Sequence, residues 1–138
     1  MKASVSWIEN VAFSGKSETG HELIMDGPDS HGGQNKGMRP MELLLLGMGG
    51  CTSFDVISML KKGRQQVSDC VVEITAERAD TEPKVFTAIH AHFVVSGKDL
   101  SEKRVARAIE LSAEKYCSAS IMLAKTAKIT HDYEIVES

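Results

Sequence analysis

The chain has 138 residues, a formal net charge of −3 and 42% hydrophobic side chains, enough for one domain with a sizeable core. Its 16 Lys and Arg are scattered among 19 Asp and Glu, which excludes the one-sided basic footprint of a nucleic-acid binder. The opening MKASVSWIENVAFSG alternates and has no apolar leader core, so a cytoplasmic protein with no membrane partner is expected.

Residues 2–9 alternate with the period of a half-buried strand. Val11–Gly15 and His21–Met25 predict two more short strands around a polar turn at Lys16–Gly20, an antiparallel meander. Asp26–Met38 contains Gly27-Pro28, Gly32-Gly33 and Gly37. It is a loop, either one that carries function or one that is simply mobile. A long central helix is expected from Pro40 to about Lys62, with Glu42 in its first turn, Lys61-Lys62 in its last and Gly63 as its stop. The apolar run Leu43–Met48 is too short to span a membrane. Gly47, Gly49 and Gly50 interrupt this helix, although each costs about 1 kcal/mol relative to Ala. They predict space kept clear for a close approach beside Cys51.

Val67–Ala79 and Val85–Ser96 predict two long strands joined through Asp80–Lys84. Asp99 or Ser101 can cap a second helix, with Val105, Ala108, Ile109, Ser112 and Tyr116 at helical spacing, ending near Cys117. Ser118–Ala127 predicts a shorter third helix. Lys128–Val136 is a closing strand with Ile129, His131, Tyr133 and Ile135 on one face. The class is α+β: antiparallel sheet with helices packed on it.

Cysteine carries the chemistry. Cys51, Cys70 and Cys117 show no C-x-x-C spacing, so neither a disulfide scaffold nor a zinc site is expected. Cys51 follows the glycines, and Cys117 precedes a helix whose free N–H groups and dipole would stabilise a thiolate. Two thiols that meet, one of them activated, suit a peroxidase cycle of sulfenic acid and disulfide. Equally, both fit ordinary buried cysteines. Cys70, on a strand, is read as packing. His90 and His92 share a strand face with no third ligand at a useful spacing, so no metal is expected. His21 and His31 flank the glycine-rich loop. Met38, Met41, Met48 and Met59 are read as helix-face core rather than the lining of a ligand site.

The pattern Pro40-x-Glu42-Leu43-Leu44-x5-Gly50-Cys51, with a second Cys after a helix and before Ser-x-Ser, resembles the OsmC/Ohr family. The variant Arg39-Pro-Met-Glu-Leu-Leu-Leu-x-Gly-Met-Gly-Gly-Cys-Thr is similar to its YhfA-like branch, and the resemblance covers essentially the whole chain. It implies the OsmC-like fold, antiparallel sheets packed on a long central helix, formed as an intertwined homodimer with sites near the subunit interface. It implies reduction of organic, including fatty-acid, hydroperoxides in oxidative-stress defence, without metal, haem, flavin or other cofactor. Cys51 would be the peroxidatic thiol and Cys117 the resolving one, recycled by an external thiol, a dihydrolipoyl group in the Ohr type. The better-known branches carry a Glu directly after the helix Pro, where Met41 stands, and an Arg in the N-terminal third, where Lys16 stands. Glu42, about 100° further round the helix, and Arg39, the only arginine before Cys51, are the candidates for those tasks. The same departures favour a rival: a binding or sensing protein that holds an apolar small molecule in the interface pocket.

Overall fold

The computed structural model describes residues 1–138. The chain forms two compact units, Met1–Leu45 and Leu46–Ser138.

In the first unit, β1 (Ala3–Glu9), β2 (Ala12–Ser17) and β3 (Glu22–Met25) make the predicted antiparallel meander in the order β1-β2-β3. Strand β1 differs from expectation. It is exposed along its whole length, with Val5, Trp7 and Ile8 uncovered, because nothing in its own unit packs on the apolar face that its alternation builds. The segment after β3 is organised around Asp26, which is buried and accepts the amides of Gly27 (2.7 Å), Gln34 (3.2 Å) and Lys36 (3.0 Å). A short 3₁₀ turn occupies Asp29–His31. Its glycines have separate reasons. Gly32 takes a left-handed φ of 84°, and a side chain on Gly33 would collide with the Gly27 backbone.

Helix α1 runs Pro40–Lys62, as predicted. Glu42 reaches back to accept the Arg39 amide at 2.7 Å, the glutamate half of a capping box. The far end is a Schellman stop, in which the Gln65 amide donates to the Leu60 carbonyl (2.9 Å) and Arg64 to Lys61 (3.0 Å). The left-handed residue of that stop is Arg64, at φ 59°, and not Gly63. Gly63 answers to crowding instead, since a Cβ there would stand 2.9 Å from the Arg104 guanidinium. By length and by a mean hydropathy of 1.7 over an 18-residue window, α1 is long and apolar enough to cross a membrane, although the Leu43–Met48 run alone is not. One stripe of it, Met48, Thr52, Val56 and Leu60, is buried at i, i+4 spacing.

In the second unit, β4 (Gln66–Arg78) and β5 (Phe86–Lys98) pair antiparallel. The closing strand β6 (Lys128–Glu137) pairs with β5 in parallel, so this sheet is mixed rather than antiparallel throughout. The reason is the connection. A parallel return needs a long crossover, and α2 (Glu102–Leu111) and α3 (Ser118–Leu123) supply it. Alternate residues of β5, from Ile89 through Ala91 and Phe93 to Val95, are buried and form the core with the α1 stripe and Val105, Ala108 and Ile109 of α2.

In the crossover the structure settles one alternative of the sequence reading and departs from that reading after Leu111. Ser101, not Asp99, caps α2, its hydroxyl accepting the Arg104 amide. After Leu111 the backbone widens into a π turn, Ser112–Tyr116, closed by the Cys117 amide on the Ser112 carbonyl at 2.8 Å. The extra residue breaks the helical spacing. Ser112 is buried, whereas Tyr116 is turned out and exposed under the Lys115 ammonium. Helix α3 ends at Leu123, short of Ala127, because the chain tightens into a turn.

Candidate active site

The glycines before Cys51 do two jobs. Gly49 admits β4, since a Cβ there would lie 2.9 Å from Ile74 Cδ1. Gly47 and Gly50 have no neighbour within 4 Å, so their bare backbone, with Leu44, Leu46 and Phe54, leaves part of α1 uncovered.

Cys51 is half-buried on α1, and Cys117 is fully buried at the N-cap of α3. Both are free thiols. They are close enough for Cys51 to push the Cys117 thiol up. The Cys117 sulfur accepts from the Ser120 hydroxyl at 3.0 Å and the Ser120 amide at 3.3 Å, and the Met48 carbonyl lies 4.0 Å away. The expected thiolate does not follow. Burial pushes the Cys117 thiol above its ordinary range, the Ser120 donors pull it down by less, and Cys51 adds to the rise. Cys117 rests as a protonated thiol.

A buried polar chain joins the two cysteine segments. Ser112 Oγ donates to Asp55 Oδ2 at 2.8 Å and lies 2.7 Å from Thr52 Oγ1. Sequence reading missed this chain. In the sequence Ser112 is one helical-face position among others, and only the π turn reveals why a serine sits there.

Arg39 and Glu42 belong to the first unit. The Arg39 guanidinium donates to Asn35 Oδ1 (2.9 Å) and the Gly37 carbonyl (3.2 Å), so it clips the loop, and Glu42 caps the helix. Asp26, also missed, is held below the usual carboxylate range by the Lys36, Gly27 and Gln34 amides and by Arg39. Lys16 faces Glu22 at 3.9 Å on the exposed meander. Arg39 also borders an apolar cavity of about 580 Å³, lined by Val5, Phe13, Met25, Pro28 and His31 among others. Met48 is core as read, but Met38 is exposed.

On the outer face of the second sheet, His90 and His92 converge on Asp132 of β6, at 3.0 and 2.7 Å from one carboxylate oxygen. Thr130 holds the other nitrogen of His90 at 2.7 Å. Cys70 points inward opposite Val95, and burial raises its thiol, as a packing role requires.

A family model described as OsmC-like protein matches residues 33–132. Protein YhfA of Escherichia coli K12 is 49% identical over 136 residues, covering 99% of this chain and 98% of that protein. The crystal structure of a hypothetical protein from Aquifex aeolicus VF5 is 30% identical and superposes with a TM-score of 0.87, over 99% of this chain and 96% of that one. The organic hydroperoxide resistance protein OhrB of Bacillus subtilis shares the fold, with a TM-score of 0.64 at 17% identity over 97% and 98% of the two chains.

Proposed function

The chain belongs to the OsmC-like family, and on that footing we propose that it is a thiol-dependent peroxidase that reduces organic hydroperoxides. The observation that carries this reading is the asymmetry of its thiol pair. Cys51 is part-exposed on α1, and the neighbouring Cys117 is fully buried.

In the proposed cycle, the Cys51 thiolate attacks the outer oxygen of R–O–O–H. The S–O bond forms, the O–O bond breaks, and the alkoxide takes a proton to leave as ROH. Cys51 is then a sulfenic acid. The Cys117 sulfur attacks it, the S–S bond forms, and hydroxide leaves as water with the proton Cys117 had kept. As that proton departs, the two Ser120 donors face the developing charge. An external dithiol of the dihydrolipoyl class returns two electrons by thiol–disulfide exchange. In this reading Arg39 and Glu42 carry the electrostatic roles that the family resemblance implies for an Arg and a Glu. A homodimer would cover the exposed Leu44, Leu46 and Phe54 of α1 and the bare strand β1.

The test is a thiol count by intact mass after one equivalent of an organic hydroperoxide. Wild type should lose two thiols as a Cys51–Cys117 disulfide, Cys117→Ser should stop at oxidised Cys51, and Cys51→Ser should stay inert. A wild type that keeps every thiol over minutes defeats the proposal. The second reading, a non-catalytic binder of apolar small molecules, draws on the 580 Å³ cavity beside Arg39, a volume suited to a small organic ligand. Ligand binding by a protein inert to hydroperoxide would favour it.

A further inference from the structure

We infer that Ser112, clamped between Thr52 and Asp55, is the positioning residue that sets the distance between the two cysteine sulfurs. The inference rests on the two-cysteine reading above and adds the part of the molecule that makes the pair work. Thr52 follows Cys51 directly on α1. Its hydroxyl lies 2.7 Å from Ser112 Oγ, and the Ser112 carbonyl accepts the Cys117 amide at 2.8 Å. Ser112 therefore links the Thr52 side chain beside Cys51 to the Cys117 backbone. A further, longer contact runs from the Cys117 thiol to the Met48 carbonyl of α1, at 4.0 Å.

The polarity of the chain is fixed. A serine hydroxyl has one proton, and Ser112 gives it to Asp55. Thr52 must then be the donor to Ser112, so the order runs Thr52 to Ser112 to Asp55. Ser112 is wholly buried and Thr52 nearly so, at 0% and 3% exposure. A broken link would leave an unpaired polar atom in the core, so the three groups hold one geometry. The π turn explains the need for it. A wide turn is a poor hydrogen-bonding geometry kept mostly where a site requires it. Here its closing bond is the one that fixes Cys117, and Ser112 is its first residue. Without the clamp, the turn can relax to ordinary helix and carry Cys117 away from Cys51.

Position governs how readily two thiols become a disulfide, because the effective concentration of one beside the other enters the equilibrium directly. The experiment reads that quantity with and without peroxide. Reduced wild type, Ser112→Ala, Thr52→Val and Thr52→Ser are equilibrated in glutathione buffers, and the Cys51–Cys117 disulfide is quantified by mass spectrometry. In parallel they are oxidised with diamide, which takes two electrons and two protons from a thiol pair and becomes the hydrazine.

Ser112→Ala and Thr52→Val should make the disulfide about tenfold less stable, a rise of about 30 mV in its potential, whereas Thr52→Ser should stay near wild type. After hydroperoxide, sulfenic acid trapped by dimedone should accumulate in the first two. Potentials equal to wild type in folded Ser112→Ala and Thr52→Val overturn the inference, and if Ser112→Ala does not fold, Thr52→Val alone decides. A wild type that forms the disulfide with diamide but ignores hydroperoxide, with the variants still shifted, retains the clamp and removes the peroxidase. A wild type that forms no Cys51–Cys117 disulfide with either oxidant overturns both.

Discussion

Ser120 gives the Cys117 sulfur two donors from one residue, its hydroxyl at 3.0 Å and its amide at 3.3 Å, and still the thiol titrates above its ordinary range. Burial outweighs both donors. Ser120→Ala removes the hydroxyl and leaves the amide, so the Cys117 thiol should rise further. The check is the pH dependence of Cys117 alkylation in a Cys51→Ser background, which also removes the upward push of Cys51. At fixed neutral pH, alkylation of the Ser120→Ala form should be slower. The sign for stability follows from the raised thiol. Its contribution is complete below the unfolded thiol range and is lost as pH rises toward the folded value. Wild type should therefore lose unfolding free energy above neutral pH, and Cys117→Ser should lose less. An Ser120→Ala protein whose Cys117 reacts faster would contradict this.

The crowded approach to Cys51 gives a second test. Ala in place of Gly49 gains about 1 kcal/mol of helix propensity, but its methyl would meet Ile74 Cδ1 at 2.9 Å. Ile74 Cδ1 is the end of a flexible, part-buried side chain that can rotate aside, so the two effects nearly offset and Gly49→Ala should stay within about 1 kcal/mol of wild type in urea unfolding. Ile74→Val removes the offending methyl. The double variant should then be more stable than the sum of the two single effects, by about 1 kcal/mol of coupling. Simple additivity would show that β4 does not press on this turn.

Much of this was legible in the sequence, and the exceptions have physical causes. Pro40, Glu42 and the paired lysines marked the ends of α1 because capping and the helix dipole act locally. The strands were found because alternation is local as well. The direction of β6 was not, since parallel pairing depends on a crossover through two helices that no local pattern records. Nor was Asp132 as the partner of His90 and His92, 42 and 40 residues away in the chain. The cysteine pair was legible as a family pattern and its asymmetry was not, because the Cys117 titration balances long-range burial against local Ser120 donors. Gly63 follows the last residue of α1 as expected, but the left-handed residue of the stop is Arg64, which no local composition marks.

The left-handed Arg64 supplies a stability prediction. A non-glycine residue in the left-handed region costs about 1–2 kcal/mol, and Arg64 sits at φ 59°. Glycine removes that cost but loses about 0.5–1 kcal/mol through the freer unfolded chain. Arg64→Gly should thus gain about 0.5–1 kcal/mol and raise Tm by about 2–4 °C. Calorimetry would show it. A lower Tm would mean that the Arg64 side chain contributes more than its backbone strain removes.

The His90–Asp132–His92 cluster should make the second unit sensitive to pH from both sides. The hydrogen bond that His92 donates to Asp132 raises His92 above the usual imidazole range, and the two histidines hold Asp132 below the usual carboxylate range. A raised histidine contributes stability that is complete below its unfolded value and lost as pH climbs through the folded one. A lowered aspartate contributes stability that is complete above its unfolded value and lost as pH falls through the folded one. The cluster is therefore strongest between the unfolded Asp and His ranges and weakens on either side. In Asp132→Asn the charge is gone, and the His92 titration followed by NMR should drop toward the ordinary imidazole range. Glu134, 3.9 Å from the far nitrogen, and Glu73 opposite in β4 remain to hold part of the rise. A His92 that titrates in Asp132→Asn as it does in wild type would place the cause in those two glutamates instead.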